Sequence, residues 1–322
     1  MHPIWKDYYV DLGEVDFSEF FIDYDDEFAH NGIAYRRPDD FNCRVKINDI
    51  CKNYLPTINL RSGVEFIEAR LPLFNIYNKD ASVDEYVRFF NDWSYEEYGQ
   101  NINLACPING RVTSRMPLPL FCPIVTAQDV EVEVIHPDGD VSMIYPASIR
   151  TDSGLYLLDL DICTPGDLLG AAIYTGEGWS VASEYQVVDS CARYALYYEN
   201  ARGGWDALLI EGNHSESDSL TRHERSVEYD NSSVSNRGRV NYGVEIKKRM
   251  TFHTSWMSDE ESSRMHHLLN STNVYLYDIE KEQFIPVLLT NSTTEYKTYK
   301  SNGGKLVNYT IEVEFANERI RK

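Results

Sequence analysis

Strict alternation of apolar and polar side chains constrains this chain more than any other feature. In its last thirty residues Val307, Tyr309, Ile311, Val313 and Phe315 alternate with Asn308, Thr310, Glu312 and Glu314. A period of two puts one set on each face of a strand, and no helix can separate them that way. The pattern recurs at Val130, Val132 and Val134, which alternate with Glu131 and Glu133. Pro137-Asp-Gly-Asp140 follows as a turn, and Val141, Met143 and Tyr145 resume the alternation, so a hairpin is expected. Tyrosine is abundant, with 23 residues against 13 Phe and 5 Trp. Its ring is buried easily while its hydroxyl stays wet, which suits strands and large contact surfaces.

The expected fold class is mainly β: several β-sandwich or split-barrel modules with one or two short helices. Three units are expected in the 322 residues, as 1–125, 126–190 and 191–322. In the first, Cys43–Ile47 reads as a strand and Ile50–Leu55 as a short helix. Val83, Tyr86, Val87 and Phe90 fall on one helical face behind Ser82 and Glu85, so a helix is expected there. Met116–Pro123 holds three prolines and reads as an extended connector, unfit for a central strand. In the second unit, Leu155–Ile162, Ala171–Tyr174 and Trp179–Val188 read as strands, with Tyr156, Leu158, Leu160 and Ile162 sharing a face. In the third, strands are expected at Arg193–Tyr198, Ala207–Glu211, Thr221–Tyr229, Val240–Thr254, Asn273–Ile279, Phe284–Thr290 and Glu295–Lys300, with a polar loop over Asp230–Arg239. Ser258-Asp-Glu-Glu261 is a capping box that opens a helix over Asp259–Leu269, with Met265, Leu268 and Leu269 on its apolar face.

The chain carries 51 Asp and Glu against 30 Lys and Arg, a net charge of −21. Such a surface repels phosphates and anionic lipids and argues against a nucleic-acid reader. Six cysteines are scattered without a zinc spacing and are expected as reduced, buried thiols. The first twenty residues hold acids throughout and no apolar run, so no secretion signal is expected. No stretch approaches the ~20 apolar residues of a membrane span, so no membrane insertion is expected. Five Asn-x-Ser/Thr triplets, beginning with Asn213, fit chance in an Asn- and Ser-rich region.

A search for chemistry finds no phosphate-binding glycine loop, no nucleophile elbow and no HExxH. His266 and His267 are neighbours on the expected helix, so they diverge and cannot chelate one ion. Asp23–Glu27 lacks the glycine and terminal glutamate of a calcium loop and reads as a solvated acidic turn. Gly203-Gly-Trp-Asp206 reads as a tight hairpin turn whose Trp205 packs back on the sheet, the competing reading being an exposed interface anchor. No catalytic, cofactor or metal residue is assigned, no cofactor is expected, and the chain is not expected to be an enzyme. Dispersed carboxylates leave a glycoside hydrolase open, because such a pair is defined by distance in space. Trp179 and Trp205 are the candidates for stacking on a sugar if the chain binds carbohydrate.

Two segments carry a family pattern. One is Arg193-Tyr-Ala-Leu-Tyr-Tyr-Glu-Asn-Ala-Arg-Gly-Gly-Trp-Asp-Ala-Leu-Leu-Ile-Glu-Gly212 with Thr221-Arg-His. The other is Thr254-Ser-Trp-Met-Ser-Asp-Glu-Glu-Ser262 with Leu269–Asp278, Pro286-Val287 and Thr294–Lys297. Asn91–Glu96 and Pro107–Gly110 add to it more faintly. The pattern resembles tail-hub or distal tail proteins of tailed phages of Bacteroidales bacteria, including crAss-like phages. The resemblance implies a structural virion protein that forms a homo-oligomeric ring of about six or twelve copies. It implies genomic DNA passing through the lumen without specific binding, and contacts with other tail proteins and fibres. The place implied is the virion tail, assembled in the cytoplasm of the bacterial host. The middle module, 126–190, departs from the simple pattern. The competing reading is a carbohydrate-binding module for a host surface polysaccharide.

Overall fold

The computed structural model describes residues 2–3, 5–55, 57–69, 73–79, 83–90, 110–122, 129–146, 154–175, 178–227, 239–290, 296–301, 304–316 and 319–321. It divides into two compact units, Met1–Val188 with Glu199–Asp206, and Asp189–Tyr198 with Ala207–Lys322. Both are built mainly of strands.

The first unit holds β1 (His2–Pro3), β2 (Tyr9–Asp11), β3 (Phe17–Tyr24), β4 (Glu27–Tyr35), β5 (Arg44–Lys46), α1 (Asn48–Cys51), β6 (Phe66–Glu68), β7 (Leu73–Asn78) and β8 (Asp84–Phe90). It continues with β9 (Gly110–Val112), β10 (Leu118–Cys122), β11 (Asp129–Ile135), β12 (Val141–Ile144), β13 (Gly154–Leu158), β14 (Leu168–Thr175) and β15 (Gly178–Val187). The sheets run β1-β8-β7-β3-β4, β10-β13-β6, β12-β11-β14-β15-β9 and β2-β5. Pairings β6–β13 and β9–β15 cross the expected boundary at 125/126, so residues on both sides share one unit. The core under the first sheet includes Val10, Ile22, Ile47, Phe74 and Ile76, all with no exposure. Each such side chain contributes about 1.5–3 kcal/mol by leaving water.

The second unit contains β16 (Tyr194–Glu199) up to Tyr198, β17 (Trp205–Ile210) from Ala207, β18 (His214–Ser226), β19 (Arg239–His253), β20 (Met257–Ser258), α2 (Asp259–Leu269), β21 (Val274–Asp278), β22 (Gln283–Leu289), β23 (Tyr296–Ser301), β24 (Gly304–Phe315) and β25 (Arg319–Arg321). One sheet runs β17-β16-β21-β22-β24-β19-β18. The first half of β24 pairs with β20 and β23, and its second half with β22 and β19. Val307, Tyr309, Ile311 and Val313 are buried, as their alternation requires. They meet Leu196, Tyr198, Phe252, Met265 and Leu268 in one core. Helix α2 opens on both halves of its capping box: Glu261 N–H donates to Ser258 Oγ (3.1 Å) and Ser258 N–H to Glu261 Oε2 (2.8 Å).

Three expectations are corrected. Residues 83–90 are not a helix, because β8 pairs with β7 from Leu73↔Arg88 to Tyr77↔Asp84. Val87 is buried while Tyr86 is 58% exposed, a period of two that suits β-branched and aromatic residues. Glu85, the expected cap partner, instead accepts a hydrogen bond from Tyr8 Oη; Ser82 lies outside the described residues. The connector at 116–123 contains a strand, β10, buried along its length. It is the outermost strand of its sheet, which is where a proline without an N–H can sit. Ile162 is 55% exposed, because β13 ends at Leu158 before the alternation does. The expected loop at 230–239 lies almost wholly outside the described residues.

Candidate interaction surfaces

The most exposed element is a β-arm. β18 and β19 pair antiparallel from His214↔Phe252 to Ser226↔Arg239. Phe252 and Met250 root the arm in the core of the second unit. Beyond them no residue of β18 is buried, and only Ser219 and His223 are even half-buried. A two-stranded ribbon is marginal alone. Here β25 adds pairing at Val244–Ile246, and the ion pair Lys248–Glu216 (3.1 Å) and a hydrogen bond between His223 Nε2 and Glu245 Oε1 (2.7 Å) link the strands. Among the described residues no strand pairs with the far side of β18. The phase of that edge follows from the His253 N–H, which donates to the Asn213 carbonyl at 2.8 Å. Odd-numbered residues of β18 therefore bond to β19, and the backbone groups of Glu216, Asp218, Leu220 and Arg222 point outward.

A second surface is the outer face of the sheet β1-β8-β7-β3-β4. Its register brings Phe17 opposite Tyr35, Glu19 opposite Ile33, and Asp23 opposite Phe28. Phe17, Phe28, Ile33, Tyr35 and Tyr86 are each more than half exposed. Phe21 stacks on Tyr77 at 5.4 Å and 20°. Glu19 pairs with Lys79 at 3.2 Å between these apolar side chains. The opposite face, with Phe20, Ile22, Phe74 and Ile76, is core. So many exposed large apolar groups on one sheet face make it a candidate contact surface.

The structure also gathers polar groups that no motif announces. Asp167, fully buried, accepts from Thr164 N–H (2.7 Å) and meets His136 Nδ1 at 3.0 Å, while His136 Nε2 meets Ser142 Oγ at 2.8 Å. The bond order is that of a nucleophile, base and orienting acid. The same bonds fasten the turn before β14 to the β11–β12 hairpin. Burial pushes the Asp167 carboxyl up, but the bonds from Thr164 and His136 outweigh it and hold the group below its ordinary value. In the β16–β17 turn, Asn200 Oδ1 accepts from the N–H groups of Arg202 (2.9 Å) and Gly204 (3.1 Å), and its Nδ2 donates to Asp206 (2.9 Å). Tyr185 Oη donates to Asp206 at 3.1 Å. Gly203 takes φ +83° there.

Trp205 is 3% exposed, so it packs inward and offers no face to a ligand. The side chain of Trp179 lies outside the described residues. Asp23–Glu27 forms the β3–β4 turn, with Asp25 and Asp26 at positive φ and the Asp25 carboxylate accepting from Leu73 N–H. His266 is exposed and His267 half-buried. Among the described residues no three His, Cys, Asp or Glu side chains converge as a metal site would need. Burial raises the Cys51 thiol to about 12; burial and the Asp167 charge raise Cys163 to about 11. Such thiols stay protonated and pack as small apolar groups. A cleft of about 470 Å³ in the second unit includes Cys191, Arg193, Tyr194, Glu211 and His214. Its cation is engaged: Arg193 lies 3.4 Å from Asp278 and 3.3 Å from Glu280. No described helix is long and apolar enough to cross a membrane.

No known protein family matches the chain, and no curated protein matches it. Among solved structures it is similar to a variant of Salmonella alpha-2-macroglobulin, at 9% identity and TM-score 0.18, over 97% of this chain and 26% of that one. It is also similar to native E. coli alpha-2-macroglobulin, at 10% identity and TM-score 0.15, over 99% and 33%. The chain thus spans a quarter to a third of those proteins, and likeness at these scores carries no argument.

Proposed function

We propose that the chain is a structural, ring-forming subunit of a phage tail, of the tail-hub or distal tail type. Its partners are copies of itself, about six or twelve, and neighbouring tail or fibre proteins. DNA passes its lumen without being held, because a subunit of net charge −21 repels phosphates. On this reading the protein sits in the virion tail after assembly in the host cytoplasm, and it catalyses nothing.

The observation that carries the reading is the apolar outer face of the first sheet. A ring contact joins two different patches of neighbouring copies, so each subunit must present uncovered apolar surface of its own. Phe17, Phe28, Ile33 and Tyr35 supply it. The sequence resemblance supplies the setting. Negative-stain images of the purified protein test the proposal: closed rings are expected, and Phe28→Glu with Tyr35→Glu is expected to disperse them. A monomer at all concentrations that is also missing from virions overturns it.

The same face favours a second reading, a platform for saccharides. Aromatic rings stack on sugar C–H faces, and Asn31, Glu19 and Asp23 on neighbouring positions could bind hydroxyls. A glycan array comparing the wild type with Tyr35→Ala separates the two. Sugar binding lost in the variant supports the platform, and no binding to any host polysaccharide excludes it.

A further inference from the structure

The outward edge of β18 is long and polar, and its charges are unevenly placed. Glu216 and Asp218 lie in its first half; Arg222 and Arg225, with Glu224 between them, lie in its second. A strand with its acids mostly toward one end and its bases toward the other is complementary to itself when two copies run antiparallel in a suitable register. In a parallel pair it would set like against like.

Backbone phase narrows the choice. Two edges join only when outward-pointing residues face outward-pointing residues, so the two-fold axis must pass through a residue of β18. Centred on Asp218, Asp218 meets its own copy. Centred on Leu220, Glu216 faces Glu224. Centred on Thr221, Asp218 faces Glu224. Centred on Arg222, that arginine meets itself. Centred on Ser219, no like charges face each other, and Glu216 lies opposite Arg222 of the second copy twice over. Leu220 faces Asp218, and His214 faces Glu224.

We infer that β18 is a homotypic seam: two copies of this chain join edge to edge, antiparallel, about a two-fold axis at Ser219. Exposed edges this long ordinarily invite uncontrolled pairing. A centre at His223 also sets no like charges together, but it overlaps only residues 220–226, whereas the Ser219 centre joins 214–224, so the Ser219 register pairs the longest stretch of edge without like charges. An isologous contact closes on itself and cannot extend a ring, so the seam is a contact additional to any ring interface. It does not rest on the tail reading.

Sedimentation of the full chain tests it. The wild type is expected to associate in pairs of the 37.2 kDa subunit, or in even-numbered assemblies. Leu220→Pro removes an outward N–H that no other described residue uses, so it should leave circular dichroism and thermal unfolding unchanged while abolishing the pairing. Glu216→Arg and Arg222→Glu should each weaken pairing by about tenfold or more, because each sets two like pairs across the seam. The double variant should restore it. A wild type that stays monomeric at about 100 µM overturns the seam, a weak limit for a specific contact. So does pairing that survives Leu220→Pro, or a double variant no better than the singles. Wild-type rings that never pair with one another overturn the seam and leave the ring proposal standing; pairs without rings do the reverse.

Discussion

A Cβ on Gly212 would collide with the carbonyl oxygen of His253, where the arm leaves the core. The obstacle is backbone, so no side chain can yield. Gly212→Ala should therefore cost about 2 kcal/mol or more, read as a shift of the urea midpoint. Asn200 is the second sensitive position. Its side chain serves two backbone N–H groups and Asp206, and removing it strands buried partners. Asn200→Ala should cost about 1–3 kcal/mol by the same measurement. The Gly-Gly-Trp-Asp turn was legible because local conformation decides it, down to the inward packing of Trp205. The partner of Asp206 was not. Tyr185 lies 21 residues away, and His136 and Asp167 are 31 apart, distances at which no spacing rule operates.

Among the elements, α2 was legible from its cap. The serine and glutamate of the capping box are a local contract between residues three apart. Ser258→Ala should lower stability by about 1 kcal/mol, measured by thermal unfolding. Strands with clean alternation were legible for the same reason, as was the Pro137–Asp140 turn, where Gly139 takes φ +91°. The element that misled was β8. Val83, Tyr86, Val87 and Phe90 satisfy a helical face, but pairing with β7 supplies the backbone bonds and overrides the pattern. β10 misled in the opposite sense, because three prolines hide a strand that needs hydrogen bonds on one side alone. The outer sheet face was foreshadowed by tyrosine content only. Which aromatic points outward is set by register between β3 and β4, and register is a property of the folded sheet.

For the whole molecule, acid should be destabilising through identifiable groups. Arg249 first, then Lys247, holds the Glu314 carboxyl below its ordinary value, and Asp167 is held low by its donors. Carboxyls lowered in the folded state contribute stability that is complete above their unfolded pKa, about 4. It is lost as pH falls through the lower folded values. Denaturant midpoints should be flat in this respect from pH 7 to about 5 and fall below about 4, with a smaller fall for Glu314→Gln. The mainly-β class was legible from alternation alone. The grouping of strands was not, because β6 and β9 find their partners β13 and β15 far along the chain. The central claim is that this chain is built to assemble in a phage tail. Quantitative mass spectrometry of purified virions, with the portal as internal standard, tests it most directly. The account predicts the chain in a fixed ratio of about six or twelve copies per particle. Virions that lack the chain would contradict it.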